Sequence, residues 1–379
     1  MKKLVIIGAN EFQNPLILKA KEMGYETHVF AWKEGAVGAE NADYFYPISI
    51  IEVDEILEEC RRIKPDGVAT IGSDLANVTV TRLADALGLP GNSLACIEKS
   101  TNKAAMRQAF LDAGIPTPFF QSVSSIEDLD TEKIQYPVIV KPTDRSGSRA
   151  ITKVEGEAQL KEAIAHAAKE SFEKRAIVES YLEGQEYSME SISYQGTHTC
   201  LAITKKYTTG APHYIETGHM QPAPLSRELN EKAIQVIHHA LDALEIKNGA
   251  SHAEFRIDDQ GQIHMIEIGS RMGGDCIGSH LVPLSTGNDF VKMVIQTAVG
   301  EKPSLQMEKQ QMCSGIQFVL CEKDMEKLAW VKKEHSQSLV EEWIAEEVGS
   351  HQVVDSGSRF GYYILQTETI EQMKMIIGE

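Results

Sequence analysis

Two glutamates on neighbouring β-like runs have the spacing to share one metal ion. Glu254 lies in "SHAEFRI" and Glu267 in "QIHMIEIG", with a turn signal between the two runs. A hairpin that is symmetric about Gln260-Gly261 places Glu254 directly opposite Glu267 on one face, with Cβ atoms about 4.5–5.5 Å apart. Carboxylates at that distance repel each other unless a cation lies between them. Mg²⁺, or Mn²⁺ in its place, binds carboxylate oxygens and keeps positions for phosphate, so we predict a divalent metal site here.

The alternative for this pair is an exposed hairpin face with two solvated glutamates. The apolar neighbours Phe255, Ile257 and Met265 argue against it, because they make both runs largely apolar. A slip of one residue in the pairing would move the two glutamates to opposite faces. The metal prediction therefore depends on the register of this hairpin.

The segment after the second run has residues suited to binding an anion. Arg271 carries a guanidinium that can donate two hydrogen bonds to phosphate oxygens. Gly273 and Gly274 allow backbone amides to approach an anion closely. The alternative is that this Arg-Met-Gly-Gly loop only ends a strand.

A lysine and a small-residue loop provide further candidate phosphate ligands. Lys141 ends the apolar run "PVIVK", where its ammonium can enter a phosphate site or reach solvent instead. The loop that follows contains Ser146, Gly147 and Ser148, a composition suited to folding its amides over phosphates. Such loops are common, so the loop alone is a weak indication.

Two more glutamates are candidates for contacts with a nucleotide. Glu179 stands at the end of a short apolar run and Glu186 follows it closely. If a Mg²⁺-bound nucleotide binds here, Glu179 can accept a hydrogen bond from the exocyclic amine of adenine, and Glu186 can hold ribose hydroxyls. Either residue alone is more often an ordinary surface glutamate.

The elements that must position these residues change in type along the chain. Residues 1 to about 100 alternate strand and helix, which predicts a parallel sheet with helices on both faces. Ligand contacts are expected where strands end, at Gly8-Ala9-Asn10 and Gly72-Ser73-Asp74, unless these are only tight turns. The chain has no GxG and no glycine followed by lysine, so a dinucleotide fingerprint and a P-loop are both absent.

The pattern after residue 100 is α+β. A hairpin is predicted over 187–204 about Gln195-Gly196, and long helices over 157–169 and 228–244. A small terminal unit follows from about residue 305, with strands at 315–320 and 361–365. We predict three domains, over residues 1–100, 101–304 and 305–379, with a lid subdomain at about 115–183.

Composition narrows the class of protein. The 379-residue chain has a formal net charge of −18, which disfavours binding to nucleic acid or to an anionic membrane. Its six cysteines include no CxxC pair, and no apolar run is long enough to span a bilayer. The first residues are predicted to form a strand and not a signal sequence, so a cytoplasmic location is expected.

Taken in order, these residues resemble the ATP-grasp superfamily of carboxylate–amine ligases. The resemblance covers roughly residues 1 to 300, and it is the order of the motifs that is specific. The motifs are Lys103 in "STNKAAMRQAF", "VIVKP", the 146–148 loop, "VESYLEGQEYS", Glu254 and "EIGSR". The fold that it implies is a Rossmann-like pre-ATP-grasp domain, an ATP-grasp domain and a small C-terminal α/β unit.

The resemblance also implies roles for these residues. Lys103 and Lys141 would contact the phosphates of ATP, under the closing 146–148 loop. Glu179 and the Tyr181-Leu182 backbone would meet adenine. Ribose would be held by Glu186 and Mg²⁺ by Glu254 and Glu267, while Arg271 would steady an acyl phosphate.

A second segment resembles the substrate region of L-amino-acid ligases and their carbamoyl-phosphate-synthase-like relatives. In "PHYIETGHMQPAPL", Glu216 and His219 match a Glu-x-x-His pattern and would contact the amino group or the carboxylate of a substrate. His219 is alternatively a loop histidine without a role. The implied partners are a small carboxylic acid or amino acid and an amine. A homodimer is common among similar proteins.

The implied function is ligation of an acid to an amine through an acyl phosphate, with ATP converted to ADP and phosphate. The chain departs from the family pattern at Gly269, where an asparagine ligand is usual, and at Ala150, where a glycine is frequent. The Gly269 departure supports one alternative, a nucleotide-binding ATP-grasp protein with a regulatory or partner-binding role and no ligase activity. A dehydrogenase that uses the N-terminal domain is disfavoured by the absent GxG.

Overall fold

The computed structural model describes residues 1–147, 149–210, 214–306 and 312–379. A parallel sheet comes first, in the order β3-β2-β1-β4, and is formed by β1 (Lys3–Ile7), β2 (Glu26–Phe30), β3 (Tyr44–Tyr46) and β4 (Gly67–Ala69). Its helices are α1 (Asn14–Glu22), α2 (Val53–Ile63) and α3 (Asp74–Leu87). Alternate residues of β1 enter two different apolar cores, Leu4 with α1 and Val5 with α2 and α3. The predicted parallel sheet with helices on both faces is therefore confirmed.

Helix α3 begins earlier than its apolar pattern suggests. The apolar helical pattern in the sequence runs from Val80 to Leu87, whereas the helix begins at Asp74, where the Ser73 hydroxyl accepts a hydrogen bond from the Ala76 amide. The first turns bury polar residues, and the Asn77 amide donates to the Ser270 carbonyl at 3.0 Å. The longer helix brings Asp74, at its first turn, to the large sheet.

A small antiparallel sheet follows two short helices. The helices α4 (Leu94–Thr101) and α5 (Lys103–Asp112) precede it. Its order is β5-β8-β6-β7, from β5 (Phe120–Val123), β6 (Val138–Pro142), β7 (Thr152–Val154) and β8 (Ala176–Ser180). Helix α6 (Glu157–Glu170) covers one face with Leu160 and Ile164, which pack on Val138 and Val140. Burial of these apolar side chains stabilises the unit that carries Lys141 and Glu179.

An eight-stranded sheet forms the centre of the molecule. Its order is β13-β12-β9-β10-β11-β14-β16-β15, and the strands are β9 (Gln185–Tyr194), β10 (Thr197–Thr208), β11 (Glu216–Gln221), β12 (Gly249–Ile257), β13 (Ile263–Gly269), β14 (Cys313–Val319), β15 (Leu339–Ile344) and β16 (Gly361–Thr367). The helices in this part of the chain are α7 (Arg227–Ala243), α8 (Val282–Thr286), α9 (Phe290–Ala298), α10 (Glu322–Glu334) and α11 (Ile370–Ile377). The predicted hairpin about Gln195-Gly196 is present as β9 and β10.

The terminal strands extend this central sheet. Strand β14 pairs antiparallel with β11, where Ile316 is opposite His219. The segment from about 305, expected as a small unit of its own, therefore shares a sheet with the predicted ATP-grasp region. Within the described residues, no helix is both long enough and apolar enough to cross a membrane.

Candidate active site

A cavity of about 340 Å³ lies where the three sheets meet. It is lined by residues of the two antiparallel sheets, of the loops between them and of the segment after β4. They include most of the predicted site: Lys103, Lys141, Ser146, Gly147, Glu179, Tyr181, Leu182, Glu186, Glu216, His219, Glu254, Glu267, Arg271 and Gly274. Gly72 and Asp74 also line it, whereas Gly8 does not. The Gln13 side chain lies at the ends of β1 and β4, where it is hydrogen-bonded to the backbone of Ile71. It occupies the space beside Gly8 in which a ligand was expected.

The two predicted metal ligands lie opposite each other. Glu254 pairs with Glu267 across β12 and β13, as the hairpin predicts. The pairs nearer the turn, such as Phe255 with Met265, are offset by one residue, and a bulge at Ile266 restores the register. The bulge brings the consecutive residues Ile266 and Glu267 both to the cavity wall. The carbonyl of Ile266 accepts a hydrogen bond from Arg107 at 2.8 Å.

Each of the paired carboxylates holds a lysine. Lys206 Nζ lies 2.6 Å from Glu254, and Lys103 Nζ lies 3.0 Å from Glu267. Burial acts to raise the pKa of Glu254, but Lys206 holds this pKa well below its usual value. Lys206 also lies 3.2 Å from Glu186, and its own pKa is raised by these carboxylates against the effect of burial. Positive charge is therefore already favoured at the place where a metal ion is predicted.

The two carboxylates fit a hard divalent cation whose other ligands are phosphate oxygens and water. Glu254 and Glu267 offer oxygens from one face, and each side chain is about one quarter exposed to the cavity. Among the described residues, no cluster of three or more His, Cys, Asp or Glu side chains could hold a metal by itself. Mg²⁺ is usually bound by one or two carboxylates and completes its coordination with water and phosphate, and this pair of glutamates matches that pattern.

Lys141 is held by a buried ion-pair network. Its Nζ lies 2.6 Å from Glu179, whose other oxygen accepts from Arg107 at 2.9 Å. Burial and the neighbouring Arg107 lower the pKa of Lys141, while the two cations lower the pKa of Glu179 to about 2 against the effect of burial. This changes the role predicted for the Glu179 side chain. Its carboxylate is the counter-ion of Lys141 and Arg107, and only its remaining lone pairs are left to accept from the adenine amine.

The segment predicted to meet adenine and ribose is organised by Arg256. One amino group of Arg256 donates to the Leu182 carbonyl at 2.6 Å and to the Tyr181 hydroxyl at 3.1 Å. The other donates to Glu186 at 3.2 Å. The Leu182 carbonyl and the Glu186 carboxylate each keep lone pairs beyond the ones that Arg256 uses, and both residues line the cavity.

The loop after β6 closes one side of the cavity. Ser146 and Gly147 line it, and Lys103 donates from Nζ to the Arg145 carbonyl at 2.6 Å. Ser148, the third residue predicted in this loop, lies outside the described residues. Ala150 has a φ of +51°, a left-handed conformation that favours glycine, in agreement with its place in the family pattern.

Arg271 is fixed by a residue of the N-terminal sheet. Its Nε and Nη2 donate to the two oxygens of Asp74 at 2.8 and 2.9 Å. Asp74 raises the pKa of Arg271 against the effect of burial, and the ion pair lowers the pKa of Asp74. This pair fills the space beside Gly269, where a Cβ atom would lie 3.0 Å from Asp74 Oδ1. A side chain at position 269 would therefore require the Asp74–Arg271 pair to shift by a few tenths of an ångström.

Gly273 has a different contact from the one predicted. Its amide donates to Glu190 at 2.9 Å, away from the cavity, so it is not an open anion donor. Glu190 is fully buried and also bonded to His252, which in turn lies 3.2 Å from Glu254. Glu190 raises the pKa of His252 to about 9 against the effect of burial. Gly274, in contrast, lines the cavity as expected.

Glu216 and His219 lie at one end of the cavity with residues that the sequence did not indicate. Glu216 accepts a hydrogen bond from Ser356 and lies 3.8 Å from Lys206 Nζ. His219 is buried, and its Nε2 atom is 3.5 Å from Asp275. Asp275 follows directly after the predicted Gly273-Gly274, and this position is the sequence feature that could have indicated it. No sequence feature indicates Lys206, Arg107 or Ser356, because their partners in the site are distant in sequence.

Residues 134–279 match the ATP-grasp domain family. This range contains both glutamates of the carboxylate pair, Lys141 and Arg271. The chain therefore contains an ATP-grasp domain.

Curated relatives and a solved structure agree with this assignment. The chain is 25% identical over 246 residues to alanine–anticapsin ligase of Bacillus subtilis, covering 59% of this chain and 52% of that protein. It is 28% identical over 269 residues to D-alanine–D-alanine ligase of Flavobacterium johnsoniae, covering 67% and 81%. The fold matches L-amino acid ligase from Bacillus licheniformis with a TM-score of 0.83 and 23% identity, over 99% of this chain and 95% of that one. The aligned region spans about half the length of several curated relatives.

Proposed function

We propose that this protein is an ATP- and Mg²⁺-dependent carboxylate–amine ligase that acts through an acyl phosphate, on an amino acid or a small carboxylic acid. The observation that carries the proposal is the pairing of Glu254 with Glu267 at a cavity that also holds Lys103 and Lys141. The names of the relatives support the same class, since one is a ligase of alanine with anticapsin and another is a ligase of D-alanine with D-alanine.

Glu254 and Glu267 would hold the metal, which would offset charge on the phosphates when bound. Lys141 is held in place by Glu179, so its ammonium needs little reorganisation to meet a phosphate. Lys103 begins α5 and is bonded to the phosphate-loop segment through Arg145, so it can couple loop position to nucleotide binding. The 146–148 loop would exclude water, which protects an acyl phosphate from hydrolysis.

Arg271 would steady the acyl phosphate from the side of Asp74. Two of its nitrogens are engaged by Asp74 and a third lies 3.2 Å from the Met272 carbonyl. A guanidinium has five N–H donors, so two of them can still serve an oxyanion. The geometry of the guanidinium is fixed before the substrate arrives, which favours stabilisation of the developing charge.

The proposal is tested by measuring ADP and phosphate release with a panel of amino acids and small acids, each with and without amines. The expected result is ADP formation that needs Mg²⁺ and one acid of the panel. Tight ATP binding without turnover on any pair would instead support the nucleotide-binding alternative. The support for that alternative is Gly269, which leaves the metal site one side-chain ligand fewer than the usual family pattern.

A further inference from the structure

Asp275 stands at the end of the cavity that holds Glu216 and His219, and it has no role among those assigned above. It lines the cavity beside Glu216 and His219. Asp275 and Cys276 have φ values of +53° and +60°, so two consecutive residues other than glycine adopt the left-handed conformation. This conformation is unfavourable for a residue that carries a side chain. The fold maintains this turn, and the turn directs the Asp275 carboxylate to the cavity.

The carboxylate is held ionised and in one orientation by Arg359. The two amino groups of Arg359 donate to its two oxygens at 3.0 and 2.5 Å. Although burial acts to raise it, Arg359 keeps the pKa of Asp275 below its usual value. Each carboxylate oxygen has a second lone pair, so Asp275 can still accept hydrogen bonds from the cavity side.

Arg359 itself is not available to a substrate carboxylate. Its Nε donates to the Ser356 carbonyl at 2.7 Å, and its guanidinium carbon lies 3.6 Å from the centre of the Phe318 ring. The side chain is 7% exposed, and it does not line the cavity. The charged groups that line the cavity at this end are the carboxylates of Asp275 and Glu216 and the ammonium of Lys206, which is already paired with Glu254 and Glu186. The acceptor oxygens of the two carboxylates favour a cation.

His219 is the second, independent sign of a ligand here. It is 1% exposed, and neither ring nitrogen has a hydrogen-bond partner among the described residues. Its Nε2 atom lies 3.5 Å from Asp275 Oδ2, beyond an ordinary hydrogen bond. Buried polar atoms of this kind are rarely left unsatisfied, so a bound group is expected to complete the site.

We infer that Asp275, positioned by Arg359, binds the ammonium group of the amine substrate, and that His219 beside it accepts a proton from that group. This inference rests on the proposed ligase function. The ammonium gives one proton to His219 and becomes a neutral amine. The nitrogen then forms a bond to the acyl carbon, the carbon–oxygen bond to phosphate breaks, and the second proton leaves with phosphate as hydrogen phosphate.

The protonation state of His219 suits this step. Burial lowers the pKa of His219, against the opposing effect of Asp275. The charged groups that face it are Asp275, Lys206 and Glu216, with Arg359 behind Asp275. A neutral imidazole at physiological pH can accept a proton, whereas an imidazolium cannot.

Two nucleophiles separate this inference from the ligase proposal. Hydroxylamine is uncharged at neutral pH and traps an acyl phosphate as a hydroxamate without needing an ammonium site. The amine substrate enters as a cation and does need it. We expect Asp275→Asn to raise the KM for the amine about tenfold to a hundredfold, the usual effect of losing a hydrogen bond to a charged group. Hydroxamate formation and the KM for ATP should remain within about twofold of wild type, well below a tenfold effect.

Asp259→Asn is the matched control, because Asp259 is an exposed aspartate in the β12–β13 turn. His219→Gln should lower kcat with the amine about 10²-fold and remove the low-pH limb of its pH profile, while the KM for the amine changes little. The inference is overturned if Asp275→Asn leaves the KM for the amine unchanged, or if it weakens the hydroxylamine and amine reactions equally. Failure of the wild-type protein to form hydroxamate with any acid would instead refute the ligase function.

Discussion

Glu254 lies directly opposite Glu267, although the pairs between them and the turn are offset by one residue. The bulge at Ile266 corrects the offset, and Arg107 binds the carbonyl of the bulged residue. A regular ladder from the same turn would place a different residue opposite Glu254. The arrangement of the two carboxylates is thus produced by the bulge and stabilised by a buried arginine.

The first prediction concerns the metal ligand on β13. Glu267→Gln removes one anionic oxygen and is expected to lower acid-dependent ADP formation at least about 10²-fold, as loss of transition-state charge stabilisation does. Circular dichroism and the melting temperature should remain close to wild type, because the side chain is partly exposed. Glu58→Gln, at an exposed position of α2, is the control. A normally folded and fully active Glu267→Gln protein would refute the metal assignment.

The second prediction concerns the unusual glycine. Gly269→Asn restores the residue usual in the family pattern, yet its Cβ atom would lie 3.0 Å from Asp74 Oδ1 and 3.2 Å from Arg271 Cζ. We expect lower activity and a loss of about 1–3 kcal/mol in the free energy of unfolding, typical of overpacking. Steady-state kinetics and urea unfolding measure both effects, with Gly156→Ala as a control at an open position. Higher activity in the asparagine variant would show that the glycine is only a missing ligand.

The third prediction concerns Arg107, which is buried and bonded to both Glu179 and the bulge carbonyl. Arg107→Met leaves a buried carboxylate with one cation fewer and an unsatisfied carbonyl. We expect the free energy of unfolding to fall by about 3–5 kcal/mol, as for other broken buried ion pairs. Arg62→Met on the exposed face of α2 should change it little. Equal stability of the two variants in urea unfolding would contradict the role given to Arg107.

The fourth prediction is a pH dependence. The pKa of Glu179 is lowered from 4.5 to about 2, so its ion pairs contribute their full stability above pH 4.5. That contribution is lost as the pH falls through about 2. The difference in unfolding free energy between wild type and Glu179→Gln should therefore be constant above pH 4.5 and shrink towards pH 2. A difference that does not change over this range would contradict the ion-pair network.

The sequence predicts the elements with clear apolar periodicity and misses those that bury polar side chains. Helix α3 is predicted too short because Asn77, Thr79 and Thr81 are buried and conceal its amphipathic pattern. Strand β11, with the sequence "ETGHMQ", has no strand pattern, yet it lies between two other strands of the central sheet. Tertiary pairing, which is not visible locally, determines both elements.

The residues of the candidate site likewise fall into a group that the sequence predicts and a group that it does not. Residues in continuous motifs, such as Lys141 and Glu267, are predictable because their neighbours in sequence indicate a strand end or a hairpin. Arg359 and Asp275 are 84 positions apart and are joined only by the fold. The change in role for Glu179 has the same origin, since Arg107, its partner, lies on a different element.

We propose that Glu254 and Glu267 together hold one divalent ion that presents ATP. A crystal structure of the protein with Mg²⁺ and a non-hydrolysable ATP analogue is the decisive measurement. We expect one Mg²⁺ with an oxygen of each carboxylate at about 2.0–2.1 Å, and with phosphate oxygens among its remaining ligands. A bound nucleotide whose Mg²⁺ contacts neither carboxylate, or only one of them, would refute the shared metal site.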